Sequence, residues 1–272
     1  MSASAGRSNV LPVAQLAEVV EALEGMYPPS LAEPWDAVGL VCGDPTATVS
    51  KVLFAVDPVE VVAEEAIDLG CQLLVTHHPL YLGGTTSVAA DTPKGRVVHR
   101  LISSRCALLV AHTNADRATG GVNDALAALF GLHDPLPLDG LGRIGDLPEP
   151  MTLAALTGRA AAVLPPTAWG VRAAGNPEGL VRRLAVCGGA GDDLMAAAHA
   201  AGADAFLTSD LRHHRSSERP EGLALLDAAH WATEWPWLAV AAEALARVVN
   251  VETVVSTTWT DPWTTSSRSP RR

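Results

Sequence analysis

The stretch "LLVTHHPLYLGG", Leu73–Gly84, places two histidines side by side at the end of an apolar run. Neighbouring side chains on a strand point to opposite faces, so two histidines that act together must sit where the strand stops. Pro79 supplies the stop, because it has no N–H for a ladder bond and confines His78 to extended backbone. The pair therefore lies at the carboxyl end of a strand, the edge at which open α/β sheets hold their ligands.

Outward from this point the chain alternates strands with helices. "KVLFAVD" (51–57) reads as a buried strand and "PVEVVAEEAIDLG" (58–70) as a helix, with Pro58 at its start and Gly70 past its end. "CQLLVTHH" (71–78) is the next strand, "KGRVVHRLISSR" (94–105) a helix, "ALLVAHTN" (107–114) a strand and "GVNDALAALFGL" (121–132) a helix. Upstream, Leu16, Val19, Val20 and Leu23 recur at helical spacing and predict a helix over 13–26. The Pro/Gly-rich "HDPLPLDGLGRIGDLPEP" (133–150) reads as a connection. "RLAVCGGAGDDLMAAAHAAGADAFLTSD" (183–210) then repeats the order strand, helix, Gly, strand. A shift of 132 positions lays Gly70 on Gly202, Thr76 on Thr208 and His77–His78 on Ser209–Asp210. A strand at 223–228, a helix at about 231–248 and a last strand "VETVVST" (251–257) complete the pattern. The fold class is α/β with two similar α/β lobes. The expected division is a first lobe at 10–134, a second lobe at 135–226, a return segment at 227–262 and a flexible tail at 263–272.

Composition narrows the function classes. Hydrophobic residues make up 48% and charged residues 18%, which suits a packed core rather than a disordered chain. The formal charge of −11 argues against nucleic acid as the main partner, since phosphate-backbone binding needs a basic face. Cys42, Cys71, Cys106 and Cys187 show no CxxC spacing and read as thiols in a reducing compartment. No apolar run is long enough to span a membrane, and no leader pattern opens the chain. The expectation is a cytoplasmic protein without a membrane partner.

Three predicted strand ends carry metal-competent side chains: His77 and His78, then "AHTNAD" with His112, Asn114 and Asp116, then "DAAHWATE" with Asp227, His230 and Glu234. His230 and Glu234 are four apart at a helix start and so share one face, the spacing by which one helix gives two ligands to a metal. Imidazole with carboxylate suits Zn, Fe or Mn better than Ca or Mg. Each piece alone has an ordinary structural use: a surface histidine pair, a turn aspartate, an i,i+4 surface pair. Their convergence on the carboxyl ends of strands in one α/β fold favours a site. His112, Asn114, Asp36 and Asp227 are candidates to orient ligands or to touch substrate. His213–His214 reads either as solvated surface or, through His214, as a neighbour of the site. "CGGAG" (187–191) could cradle a phosphate or could serve strand-to-helix packing. The loop 81–95, with Gly83 and Gly84, could cover the site or be plain surface.

"WDAVGLVCGD", "VTHHPL", "AHTNAD", "GVNDALA", "VCGGAG" and "DAAHWATE" resemble, in that order, the motifs of the NIF3-like family, whose bacterial members go by the name GTP cyclohydrolase 1 type 2 homologue. The resemblance runs from about Leu11 to Thr257. It implies two divalent metal ions in the cleft between the lobes and a homohexameric ring. It also implies ligand roles: His78 and Asp116 on one ion, His77 and His230 on the other, and Glu234 bridging both. The chain resembles the short form of the family, without the domain that longer relatives insert. It departs from the usual motifs at Ala37, where Asn is usual, and at Ala229 and Trp231, which flank His230 in place of Gly and Tyr.

The function expected from this reading is a dinuclear-metal hydrolase of the GTP cyclohydrolase 1 type 2 kind. Its metal-activated water would attack a nucleotide-like or heterocyclic substrate, and phosphoester hydrolysis fits the same charges. The alternative is a non-catalytic metal-binding protein for delivery, sensing or scaffolding.

Overall fold

The computed structural model describes residues 13–267. The first helix begins later than its apolar spacing suggests. β1 (Ala14–Gln15) precedes α1 (Leu16–Met26), and β1 pairs antiparallel with β3 (Thr48–Val49), so the chain is pinned before the helix starts. β2 (Gly39–Cys42), β4 (Lys51–Ala55), β5 (Leu73–Thr76) and β6 (Ala107–Val110) build the first sheet, joined by α2 (Glu60–Asp68) and α3 (Pro93–Ser103). α4 (Thr113–Arg117) and α5 (Val122–Leu129) follow β6. The strand "ALLVAHTN" is thus shorter than its apolar run implied. It ends at Val110, and Thr113–Arg117 coils into a helical turn once the Asn114 side chain accepts the His112 N–H at 2.8 Å.

The Pro/Gly-rich segment after Leu132 is not a plain connection. β7 (His133–Leu138) and β8 (Gly142–Thr152) form an antiparallel hairpin at the edge of the second sheet. Prolines are tolerated there because β7 is an edge strand, and Pro148 and Pro150 fall in an irregular stretch between two paired regions of β8. α6 (Leu153–Val163), β9 (Arg172–Ala174), β10 (Leu180–Ala190), α7 (Met195–Ala200), β11 (Ala205–Ser209), α8 (His213–Ser217) and β12 (Ala224–Ala228) continue the second lobe. α9 (His230–Glu234), α10 (Pro236–Val248) and β13 (Glu252–Val255) close the chain.

The two sheets share one topology. The first orders its strands β4-β5-β6-β2, with the first three parallel and β2 antiparallel at the edge. The second orders β10-β11-β12-β9 in the same way, with β9 antiparallel. Helices match as well: α2 with α7, α3 with α8, α4 with α9 and α5 with α10 follow equivalent strands. The 132-residue shift is the sequence trace of this repeat. β13 then crosses back to pair in parallel with β4, which ties the end of the chain to the first sheet.

The main core lies between the sheets. Val75 and Leu109 from one sheet and Val186, Leu207 and Leu226 from the other pack on a shared layer of α1, α5 and α10. α2 and α3 cover the outer face of the first sheet, and α7 covers that of the second. Trp237 of α10, 1% exposed, is the largest fully buried side chain in this middle layer. Among the described residues, no helix is long and apolar enough to cross a membrane. Residues 10–12 of the expected first lobe and 268–272 of the expected tail lie outside the described residues.

Phe54, fully buried and paired through its strand with Val75 and Val255, locks the first sheet to this core. Phe54→Ala should lower stability by about 3–5 kcal/mol, read from the urea midpoint and slope. A loss below about 1 kcal/mol would contradict the packing described.

Candidate metal centre

The repeat brings the carboxyl ends of both parallel strand sets to one cleft. His77 and His78 follow β5, His112 and Asp116 follow β6, and His230 and Glu234 follow β12. Each lobe thus gives one short helix, α4 or α9, to the same place. His77 is fully buried and Glu234 is 3% exposed, while His78 and His230 face the cleft.

Glu234 is the centre of the cluster. Its Oε1 lies 2.9 Å from His230 Nε2 and 3.4 Å from His77 Nε2, and its Oε2 lies 3.0 Å from His78 Nε2. Asp116 Oδ1 stands 3.6 Å from His77 Nε2. Donors about 2.1 Å from one ion, at tetrahedral or octahedral angles, are about 3.0–3.4 Å apart, so this spacing suits metal ligation. Three of these atoms, His77 Nε2, Asp116 Oδ1 and Glu234 Oε2, are buried without a hydrogen-bond partner. His78 is within ion-pair distance of Glu234 Oε2, yet that oxygen has no well-formed hydrogen bond. Buried polar atoms are rarely left so, and atoms that converge without bonding each other fit a ligand set. Two overlapping groups, His77 with His78 and His112, and His78 with His230 and Glu234, have donor atoms close enough to hold an ion.

The far nitrogen of each imidazole is held. His77 Nδ1 bonds the Ala111 carbonyl at 3.0 Å, His78 Nδ1 bonds Asp57 at 2.7 Å, and His230 Nδ1 bonds Asp210 at 2.7 Å. Each contact puts the proton on Nδ1 and leaves Nε2 free for a metal. His112 Nδ1 bonds Asp36 at 2.9 Å, and Asp36 also accepts from the Thr113 N–H and hydroxyl.

Sequence reasoning missed Asp57 and Asp210. Both were visible in principle: Asp57 closes a buried strand, and Asp210 falls on His78 in the internal repeat. Asp210 adopts a positive φ of 57°, a conformation that Asp tolerates better than most residues.

Other candidates went elsewhere. Asp227 orients no imidazole; Arg172 reaches it from β9, Nη2 to Oδ2 at 2.6 Å. His214 sits exposed on α8 and lines none of this cleft. Asn114 shapes the α4 turn and donates to the Tyr27 carbonyl at 2.7 Å. The Gly-rich segment does not offer its glycine N–H groups to a phosphate, because all three are already used. Gly188 donates to Asn123, Gly189 to Thr233 and Gly191 to Thr208, at 2.8–2.9 Å. Glycine is needed at 189 for room: a Cβ there would lie 2.6 Å from Glu234 Oε1 and 3.0 Å from His230 Nε2. The loop 81–95 is largely exposed, and its Leu82 reaches the cleft wall. Of the departures from the family motifs, Ala37 still donates its N–H to Asp36, and Trp231 is buried against Trp259.

Comparison with known proteins places this arrangement. The Duf34/NIF3 (NGG1p interacting factor 3) family matches residues 14–262. The chain belongs to that family. A Streptomyces coelicolor protein named GTP cyclohydrolase 1 type 2 homolog is 54% identical, over 92% of this chain and 94% of its own length. A Mycobacterium tuberculosis relative of the same name is 37% identical, covering 92% and 96%; that alignment spans 367 positions, so the relative carries an insertion that this 272-residue chain lacks. Among solved structures, a Bacillus cereus protein related to NIF3 superposes with a TM-score of 0.85 at 24% identity, covering 93% of this chain and 99% of its own. Reduced HcgD from Methanocaldococcus jannaschii gives 0.75 at 28% identity, covering 89% and 98%.

In the metal-free protein the cluster is an ionic knot. Burial opposes charge on His78, but Glu234 and Asp57 outweigh it and hold the imidazole at about 10. Glu234 and Asp210 likewise hold His230 at about 11. Burial works against the Glu234 charge, yet the three histidines keep its pKa well below the usual range. Burial raises Asp116 to about 6 against the pull of His77. A metal ion taken up here would have to displace protons from His78 and His230. Affinity should rise with pH from about 6, where Asp116 ionises, toward about 10, with proton release visible by calorimetry in buffers of different ionisation enthalpy. Asp57→Ala and Asp210→Ala should each weaken metal binding by about 10–100-fold. A pH-independent affinity, or unaltered affinity in both variants, would contradict this geometry.

Proposed function

We propose that this protein is a dinuclear-metal hydrolase of the GTP cyclohydrolase 1 type 2 kind, acting on a nucleotide-like or heterocyclic small molecule. The observation that carries the reading is the division of the Glu234 carboxylate, one oxygen toward His77 and His230 and the other toward His78. By the pairing that the family resemblance implies, His77 and His230 would hold one ion, His78 and Asp116 the other, and Glu234 would serve both. Imidazole with carboxylate suits Zn, Fe or Mn. Such ions would supply Lewis-acid charge and bring water toward ionisation near neutral pH.

The chain's own groups do the rest. Asp57 and Asp210 fix the proton on Nδ1 of His78 and His230, so their Nε2 atoms face the cleft. His112 is held by Asp36 and lines the same cleft, where its Nε2 can take a proton from the nucleophile and return it to the leaving group. Burial and the neighbouring His77 charge lower the His112 pKa, which keeps the ring neutral and able to accept. The cleft, about 760 Å³, has room for a nucleoside-sized ligand. The names of the family relatives support the same reaction class. We also propose that the chain works in the cytoplasm as a closed homohexamer, a symmetric arrangement of identical chains. Light scattering that shows a monomer at micromolar concentration would refute the assembly.

Metal analysis followed by a screen of nucleotides and phosphoesters tests the function. The expected result is two metal equivalents per chain and turnover that chelator abolishes. Glu234→Gln should lower occupancy at both positions together, whereas Asp116→Asn should mainly lose the ion held with His78. Metal-replete protein that hydrolyses nothing across the panel would favour a metal-handling role instead.

A further inference from the structure

Beyond the histidines, the cleft continues along a wall that the ligand set does not use. Trp169, from the loop between α6 and β9, and Trp263, near the end of the described chain, line it together. Their ring centroids are 6.1 Å apart, with planes inclined by 34°. The Arg172 guanidinium lies 4.5 Å from the Trp169 ring centroid. That guanidinium is fixed in turn by Asp227, through Nη2 at 2.6 Å and Nε at 2.8 Å. The three side chains form a stack anchored to β12 through Asp227.

The indoles are costly to leave in water, yet Trp169 is 41% and Trp263 57% exposed. The chain holds seven Trp against two Tyr and three Phe, and Trp169, Trp231 and Trp263 line this one cleft. Beside Trp263, Asp261 is 6% exposed and its Oδ2 has no hydrogen-bond partner. The wall therefore joins a π surface to an unsatisfied acceptor. The segment that leads to Trp263 is pinned at two points. Trp235 Nε1 donates to the Ser256 carbonyl at 3.0 Å, and the Thr260 hydroxyl donates to Asp57, the residue that orients His78.

We infer that Trp169 and Trp263, stiffened by Arg172, form a stacking subsite for a flat nitrogen heteroaromatic ring, held in the cleft that His78, His112 and His230 also line. This rests on the proposed small-molecule hydrolase and narrows its substrate class. Indole and guanidinium planes accept any ring with a π face. A ring N–H matches the unpartnered Asp261 Oδ2, which a hydrocarbon would not satisfy. Arg172 is already neutralised by Asp227, so the stack recruits a ring rather than an anion.

Calorimetry on the full-length, zinc-loaded protein tests this with adenosine and guanosine as phosphate-free rings and ribose 5-phosphate as a ring-free probe. At least one nucleoside should bind. Trp169→Ala and Trp263→Ala should each weaken that binding by about tenfold or more, while Trp263→Phe keeps it within about threefold. Ribose 5-phosphate affinity, zinc content and Tm should not move in any variant. Failure of both nucleosides to bind zinc-loaded protein, or nucleoside affinity that survives both alanine changes, would overturn the subsite. Two zinc equivalents without nucleoside binding would sink the subsite and leave the metal reading intact. Nucleoside binding with the tryptophan dependence but without zinc uptake would do the reverse.

Discussion

The constraint on which this structure depends is the burial of one carboxylate. Glu234 is 3% exposed, and such a group keeps its charge away from water only where opposite charge surrounds it. Here the surroundings come from two different parts of the chain: His77 and His78 from the first lobe, His230 from the helix that carries Glu234. The two lobes must meet closely for this, and the contact is built for approach. Gly189 leaves space where any side chain would strike Glu234 or His230. Thr233 accepts the Gly189 N–H, and Asn123 joins the Asp116 carbonyl to the Gly188 N–H. Asn123, Gly188, Gly189 and Thr233 are therefore the clamps that hold the segments carrying Asp116, His230 and Glu234 together.

The repeat explains why the site stands where it does. Two copies of one strand order face their carboxyl edges into a shared cleft, each adding a short helix after its last parallel strand. The frame is symmetric, but the side chains have diverged. At equivalent positions the first lobe has His77–His78 and the second has Ser209–Asp210. One lobe presents imidazoles at this point; the other presents a carboxylate that orients the imidazole of His230. Asp57 does the same for His78, so acids from both lobes fix the tautomers that the cluster needs.

Much of this was legible in the sequence because the information is local. The Pro79 stop, the strand-helix alternation, and the four-residue spacing of His230 and Glu234 each follow from a few neighbouring residues. What was not legible depends on distant partners. Asp227 looks like a strand-end carboxylate until Arg172, 55 positions earlier, neutralises it. The Gly-rich turn looks like an anion cradle until Asn123, Thr208 and Thr233 are seen to occupy its N–H groups. The β7–β8 hairpin hides behind four prolines because an edge strand and an irregular stretch tolerate them. The tryptophan wall joins loop residues that share no spacing rule, and only the folded chain brings Trp169 to Trp263.

The central claim is that Glu234 is shared by two ions, one on each carboxylate oxygen. Anomalous diffraction from crystals of the metal-loaded protein, recorded on both sides of the metal absorption edge, tests it most directly. The account predicts two peaks beside Glu234, one against Oε1 with His77 and His230 and the other against Oε2 with His78 and Asp116. A single peak, or two peaks with Glu234 bound to only one of them, would contradict it.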